Sequence, residues 1–430
     1  MSERQASLND RAWEQLFAKY KILDSIEAAG KFYISANQIK EFREPRLMAK
    51  FDHTINLPHI FSENKLSILP VSRGEYVISH FDAYHKFEPV NSSVIKAPLP
   101  SYIQSLDSCN VSSEAIALNC AVASGILADF LFDDELVSTV SGRMGSGIFD
   151  FSINNIKSNT QSVITVRNSQ IEIDAAYEGI RSLAIFEAKR DLSDDFLVRQ
   201  LYYPYRAWQE RITKPVRPIF LVYSNGIYRI YEYEFSDPKN YSSISLVKQK
   251  NYTVEDTSIT ADDIQRIIYT TCCEKEPALP FPQADAFERV INICELLNDQ
   301  TLTRTDLTEM YAFDARQTNY YIDAARYLGL VEKGRDNGQP LYKLSAKGSR
   351  VINMGYKQRQ LAFCSCILSH GAFIDTLKKY FETGMMPSKG EIISIMKKSS
   401  LYNVNSDSTF ERRASTIKGW INWIVGLINN

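Results

Sequence analysis

The chain is short of the residues from which most transition-metal sites are built, with five histidines and seven cysteines in 430 residues. No histidine falls in a phosphodiesterase-type metal cluster. His80 and His85, with Asp82 between them, come nearest, and their spacing is too weak to carry a bound metal. The cysteines are odd in number and form no pair of zinc-like clusters; Cys364 and Cys366, in an apolar run, read as buried free thiols. No apolar run is long enough to span a bilayer and no signal peptide is visible, so the expectation is a soluble, cytoplasmic protein with no membrane partner. Low-complexity tracts are missing too. An excess of one charge sign is also lacking: the formal charge is -2 and the pI about 6.3. That leaves nucleic acid open as a partner, because a basic face can sit inside a near-neutral total. The glycine-rich stretch Ser141 to Gly147 lacks the lysine-threonine ending of a nucleotide loop, which argues against ATP. Its Arg143 and backbone amides are expected to touch a nucleic-acid backbone, with a plain hairpin connection as the alternative.

The length exceeds what one ordinary core supports, and roughly two to four domains are expected. Proline clusters at Ala97-Pro98-Leu99-Pro100 and Glu276 to Pro282 mark boundaries. They divide the chain into an N-terminal α+β domain (1–100) with a possible role in DNA recognition, a central α/β domain (101–276), a third domain (283–350) and a C-terminal helical domain (351–430). In the central domain an alanine-rich run from Ser112 to Leu131 predicts a helix packed on a sheet. Strand-like segments follow at 148–153, 162–166, 171–174, 183–187, 217–223 and 227–235, with a helix over 194–211 between the fourth and fifth. A meander leading into a strand, helix, strand crossover implies a mixed sheet with at least one parallel pair.

Chemistry concentrates at the ends of two of these strands. Ile171-Glu172-Ile173-Asp174 alternates in the strand sense, and thirteen residues after Asp174 an apolar run ends in Glu187-Ala188-Lys189. Side chains two apart in a strand share a face, so Glu187 and Lys189 point the same way. If the strands are neighbours, Asp174 and Glu187 can hold a hard cation such as Mg²⁺, with the Ala188 carbonyl as a further ligand and Mn²⁺ as a substitute. Lys189 would orient the attacking water or offset developing charge on a phosphodiester. Glu178 is a candidate to hold a second metal or a water bound to the first one, against a solvent-facing turn. Asp150 competes with Asp174 for the first-ligand role. The rival to the whole arrangement is a pair of sheet-end charges held in a salt bridge.

The run from Ile171 to Gly179, then Ile185-Phe186-Glu187-Ala188-Lys189, then Asp194 to Arg206 resembles the catalytic core of the PD-(D/E)XK nuclease superfamily and is similar to a group of type II restriction endonucleases, over roughly residues 145–235. The resemblance places the metal-binding acid on Asp174, the second acid on Glu187 and the lysine on Lys189. Ile173 stands where the superfamily usually has proline. The same resemblance implies a restriction-endonuclease-like core, a glutamine at Gln200 that steadies the active site or the DNA backbone, and site-specific cleavage of double-stranded DNA. It also implies a role in defence, paired with a modification methyltransferase. Arg199 and Arg206, seven apart on one helix, are expected at phosphates, with a surface or sheet-edge residue as the alternative for Arg206. One site cuts one strand, so a homodimer on DNA is expected for a double-strand break. The rivals are a DNA-binding regulator with an inactive nuclease-like domain and a DNA-repair nuclease.

Beyond residue 283, three amphipathic helices and a hairpin with a polar tip form the pattern of a winged helix-turn-helix. Its third helix opens with Arg316, Gln317, Thr318, Asn319 and Tyr320, side chains able to reach base edges, while Arg335 and Asn337 sit at the wing tip. A winged fold used between proteins is the alternative. In the last domain, a second, more degenerate helix-turn-helix places Arg412 and Arg413 with Lys397, Lys398 and Lys418 on a basic surface suited to phosphate.

Overall fold

The computed structural model describes residues 7–88, 93–108, 111–255, 258–310, 315–336, 339–399 and 401–428. Seven strands lie side by side in one mixed sheet, in the order Val94–Lys96, Ile244–Thr253, Ile227–Phe235, Val216–Ser224, Leu183–Lys189, Gln170–Glu178 and Val137–Gly145. Leu183–Lys189 runs parallel to Val216–Ser224, and the helix Arg199–Gln209 makes the crossover that a parallel pair requires. The expected mixed sheet with a parallel pair and flanking helices is therefore present.

Leu183–Lys189 is buried on both faces, which is why it reads as a nearly unbroken apolar run. One face packs against Glu114–Ala123 and Ile126–Leu131 through Ala184, Phe186 and Ala188. The other packs against the Arg199–Gln209 helix through Leu183 and Ile185. The run expected as one helix from Ser112 to Leu131 is two, parted at Gly125, whose φ of 78° belongs to the left-handed region that glycine tolerates best. Ile148–Asn154 and Gln161–Arg167 stand apart as a two-stranded sheet, bringing Phe149 and Phe151 onto Tyr202 and Tyr203 of the crossover helix.

The N-terminal residues form helices Leu8–Tyr20 and Ile22–Ala29 and a three-stranded sheet around Trp13, Phe17 and Phe61. Tyr84–Lys86 already pairs with Asp195–Leu197, so the chain joins the central unit before the proline cluster at 97–100. In the C-terminal part, the helices Phe287–Asp299, Arg304–Met310 and Ala315–Tyr327 precede the paired strands Val331–Asp336 and Gln339–Leu344, and Leu302–Thr303 adds a third strand. Helices from Ala346 to Gly426 share one core with them.

This C-terminal part is clamped to the central sheet at a hairpin turn. Asn225 and Gly226 both have positive φ, 53° and 76°, as a two-residue turn matching the strand twist requires. The buried Asn225 amide exchanges two hydrogen bonds with Gln360, and Glu295 accepts from Ser224 Oγ at 2.7 Å and from the Asn225 N–H at 2.8 Å. Among the described residues no single helix is long and apolar enough to cross a membrane. The pair Tyr356–Leu368 and Gly371–Thr383 passes only together and is bent by 110°, and its apolar side chains lie in the C-terminal core.

Candidate active site

A β-bulge shapes the site. The edge strand pairs Val140 with Ala176 but Gly142 with Ile173, so two steps on it face three on the neighbouring strand and the extra residue falls at Asp174–Ala175. Before the bulge, Ile171 and Ile173 point to the crossover-helix side; after it, Ala175 and Tyr177 point to the opposite side. A bulge re-aims side chains in this way. Gly142, opposite, absorbs the distortion with a φ of 90°.

On its other side the Asp174 strand pairs with Leu183–Lys189 only from Glu178↔Leu183 to Ala175↔Phe186. There the ladder stops, and the Asp174 carboxylate takes the next N–H, that of Ala188, through Oδ2 at 2.8 Å. Asp174 thus sits at the fork where the strands part. Glu187, 9% exposed, lies beside it: its Oε1 accepts from Lys189 Nζ at 2.5 Å and from Gln200 Nε2 at 2.7 Å. The sheet brings Asp174, Glu187, Ala188 and Lys189 to one point, and the crossover helix adds Gln200. The Gln200 Oε1 is buried with no hydrogen-bond partner.

Burial pushes the Glu187 carboxyl up to about 7, with the charge of Asp174 adding to the effect and Lys189 opposing it. Burial also works against the Lys189 ammonium. Glu187, Asp52, Glu114 and Asp174 around it outweigh that and hold it protonated well above the usual lysine range. Among the described residues no three His, Cys, Asp or Glu side chains form a ready-made metal group. The donor set nevertheless fits Mg²⁺, which is commonly held by one or two carboxylates and keeps waters and substrate phosphate oxygens for the rest. Asp174 and Glu187 each direct one oxygen to the bonds above and keep the other outside them, and a cation between the half-buried Asp174 and the buried Glu187 offsets the repulsion that helps to raise Glu187.

A cleft of about 770 Å³ opens over this point. Arg143 lies on its wall and pairs with Glu172 at 3.1 Å, on a strand that takes in the glycine-rich stretch as far as Gly145. Arg199 lines it too; its guanidinium lies 5.6 Å from the centre of the Tyr203 ring, and its buried Nε has no hydrogen-bond partner.

Other expected site residues are placed elsewhere. Glu178 is at the far end of its strand, paired with Lys214 at 2.7 Å, because the ladder to Leu183 carries it away from the fork. It does not join the metal candidates. Arg206 is 4% exposed, bonded to the Asp150 carbonyl and Tyr202 and stacked on Phe149, so it holds the crossover helix to the small sheet and is closed to phosphate. Asp150 lies on that small sheet, away from the cleft. On the Ala315–Tyr327 helix Thr318 is fully buried and turned toward Thr308, which removes it from base contact; Gln317, Asn319 and Tyr320 are half-buried. The Arg316 side chain and Asn337 lie outside the described residues. Arg335 is exposed. Arg412 is exposed and Arg413 half-buried and near Tyr320, so the basic pair adjoins the start of the expected reading helix.

Several cleft residues escaped the sequence reading. Asp191 continues the alternation of Glu187 and Lys189, a signal present in the sequence and not used. Glu114 opens the helix capped by Ser113. Lys50, Asp52 and His53 come from the N-terminal domain, and no local pattern marks them.

Three family models match the chain, each described as a domain of unknown function: DUF6996 over residues 10–78, DUF6997 over 79–253 and DUF7226 over 289–429. No curated protein and no solved structure matches it. The bulged strand, the crossover helix and all of Asp174, Glu187, Lys189 and Gln200 fall within the second of these segments.

Proposed function

We propose that this protein is a Mg²⁺-dependent endonuclease of the PD-(D/E)XK kind that hydrolyses double-stranded DNA at or near a short specific sequence, as type II restriction enzymes do. One observation carries the reading: two carboxylates, the half-buried Asp174 and the buried Glu187, meet at a strand fork with Lys189 beside them and Gln200 bonded to Glu187. A structural salt bridge needs neither the second acid nor the bulge that aims it.

Asp174, Glu187 and the Ala188 carbonyl would hold the cation, which supplies Lewis-acid stabilisation of the phosphoryl oxygens and lowers the pKa of a bound water. Lys189, kept as an ammonium by its carboxylate neighbours, places a positive charge where charge develops and orients water. Gln200 fixes the Glu187 rotamer, since Glu187 Oε1 accepts from both Gln200 and Lys189. In this reading the C-terminal part is a winged helix that reads bases through Gln317 and Asn319 of the third helix, with Arg335, Arg412 and Arg413 at phosphates. Cutting both strands calls for a homodimer on DNA, and a methyltransferase protecting the host site would accompany it in the cytoplasm.

Plasmid DNA incubated with the protein and Mg²⁺ or Mn²⁺ should give discrete fragments, and EDTA should abolish cutting. Asp174→Ala should bind DNA and not cut it. Undiminished hydrolysis in chelator, or full turnover by Asp174→Ala, would show that the site has been misassigned.

A further inference from the structure

The segment Phe51 to Asn56 of the N-terminal domain lies at the mouth of the cleft and grips the loop between the Lys189 strand and the Gln200 helix. Five contacts make the grip. The Asp52 carbonyl accepts from the Leu197 N–H at 2.8 Å. His53 Nδ1 meets the Asp195 carbonyl at 2.5 Å, which assigns the proton of that bond to the imidazole because a carbonyl only accepts. The Thr54 N–H donates to Asp195 Oδ1 at 3.1 Å, and the Thr54 hydroxyl donates to Asp195 Oδ2. On its other edge His53 Nε2 stands 3.5 Å from Asp191 Oδ2. Asp191 is the second residue after Lys189, and Asp195 the fifth before Gln200.

Both carboxylates are buried, as is the imidazole, 4% exposed. A buried carboxylate without a partner is expensive; an apolar side chain in place of His53 would take from Asp191 the imidazole that faces it and leave Asp195 held by Thr54 alone. Fixing this loop fixes both active-site elements it joins. An H-bonded cation between the acids is more than the fold of the N-terminal domain requires, since that domain has its own core around Trp13 and Phe61.

We infer that His53 is a positioning residue of the cleft: by bridging Asp191 and Asp195 it sets the Lys189 strand against the Gln200 helix, so that the N-terminal domain completes the active site. This rests on the nuclease reading for its rate measurement and on geometry alone for its metal measurement. A recess of about 220 Å³ borders His53 together with Ser193, Asp194 and Arg289, wide enough to admit a small cation if the side chain is removed.

The test uses the full chain. His53→Gly and His53→Gln should cut DNA about 10–100-fold more slowly under single-turnover, DNA-saturating conditions, the range typical of lost support behind a metal or catalytic group, while the affinity for the same DNA in Ca²⁺ stays within about twofold of wild type. Added imidazole should restore a large part of the His53→Gly rate. A merely structural role would lower the rate in step with the folded fraction and show no rescue; loss of DNA affinity at unchanged rate would make the segment a DNA-reading element. Either result overturns the inference. Calorimetric titration with Mn²⁺ in the absence of DNA separates the two levels. If wild type cuts no nucleic acid, the nuclease reading fails. The positioning role then stands only if His53→Gln weakens a Mn²⁺ site that Asp174→Ala removes, and it falls if Mn²⁺ binding is the same with and without His53. Should His53→Gln fail to fold, Thr54→Val, which removes one hydroxyl bond to Asp195, must reduce the rate in a folded protein, and a wild-type rate there counts against the grip.

Discussion

Glu187→Gln should abolish cleavage and make the protein more stable. The wild-type carboxyl is buried beside Asp174, which raises it from the ordinary 4.5 to about 7, so the folded state resists its ionisation. Below the unfolded value the group is protonated in both states and costs nothing. As pH rises from 4.5 the unfolded chain ionises first, stability falls across the window up to about 7, and the penalty is complete above it. A displacement of that size corresponds to roughly 3 kcal/mol. Glutamine keeps an acceptor for Gln200 and fits the same space, and the attraction of Lys189 that it gives up is already contained in the net displacement, because Lys189 opposes the rise; Asp174, Asp52 and Glu114 remain around the ammonium. The net expectation is a gain of up to about 3 kcal/mol above pH 7 that vanishes near pH 4.5. Urea unfolding of both proteins from pH 4.5 to 8.5, in EDTA, measures it. Mg²⁺ should narrow the difference, because a cation offsets the repulsion in wild type only. A variant less stable than wild type at every pH, or a gain as large at pH 4.5 as at 8.5, would refute the reasoning.

Glu295→Ala should cost about 3 kcal/mol, since it strips the Ser224 hydroxyl and the Asn225 N–H of an acceptor in a buried joint, and chemical unfolding should then show the C-terminal part parting from the central sheet; a loss under about 0.5 kcal/mol would remove that joint as a clamp. For His53, neighbouring carboxylates outweigh burial and raise the imidazolium from 6.5 to about 10. Its stabilisation is therefore full below pH 6.5 and lost as pH rises through about 10, so wild type and His53→Gln should converge in stability on alkaline titration. Gln317→Ala should weaken binding to the preferred site by about 1–3 kcal/mol and to unrelated DNA by less; equal losses on both, measured by competition, would mark a phosphate contact instead. Lys189→Ala should lower single-turnover cleavage by about 10²–10⁴-fold without changing DNA affinity in Ca²⁺.

The chain's own periodicity determined the local elements: an apolar run such as Leu183 to Phe186 has to be buried on both faces, and a helix between two such runs calls for a parallel pair. It also placed Glu187 and Lys189 on one face, because the two-residue repeat of a strand is a local property. What lay between distant segments was not legible. That Asp174 meets Glu187 at a fork depends on a bulge against Val140 and Gly142, and a register shift leaves no mark in composition. For Arg206 and Glu178 the sequence left a bland alternative open, and only packing showed that Phe149 and Tyr202 enclose the first while Lys214 holds the second. His53 reaches Asp195 across 142 positions of sequence. Hydrogen-bond partners that far apart are chosen by how whole domains dock, which is settled by the buried surfaces and polar groups each must satisfy and not by the pattern of either segment alone.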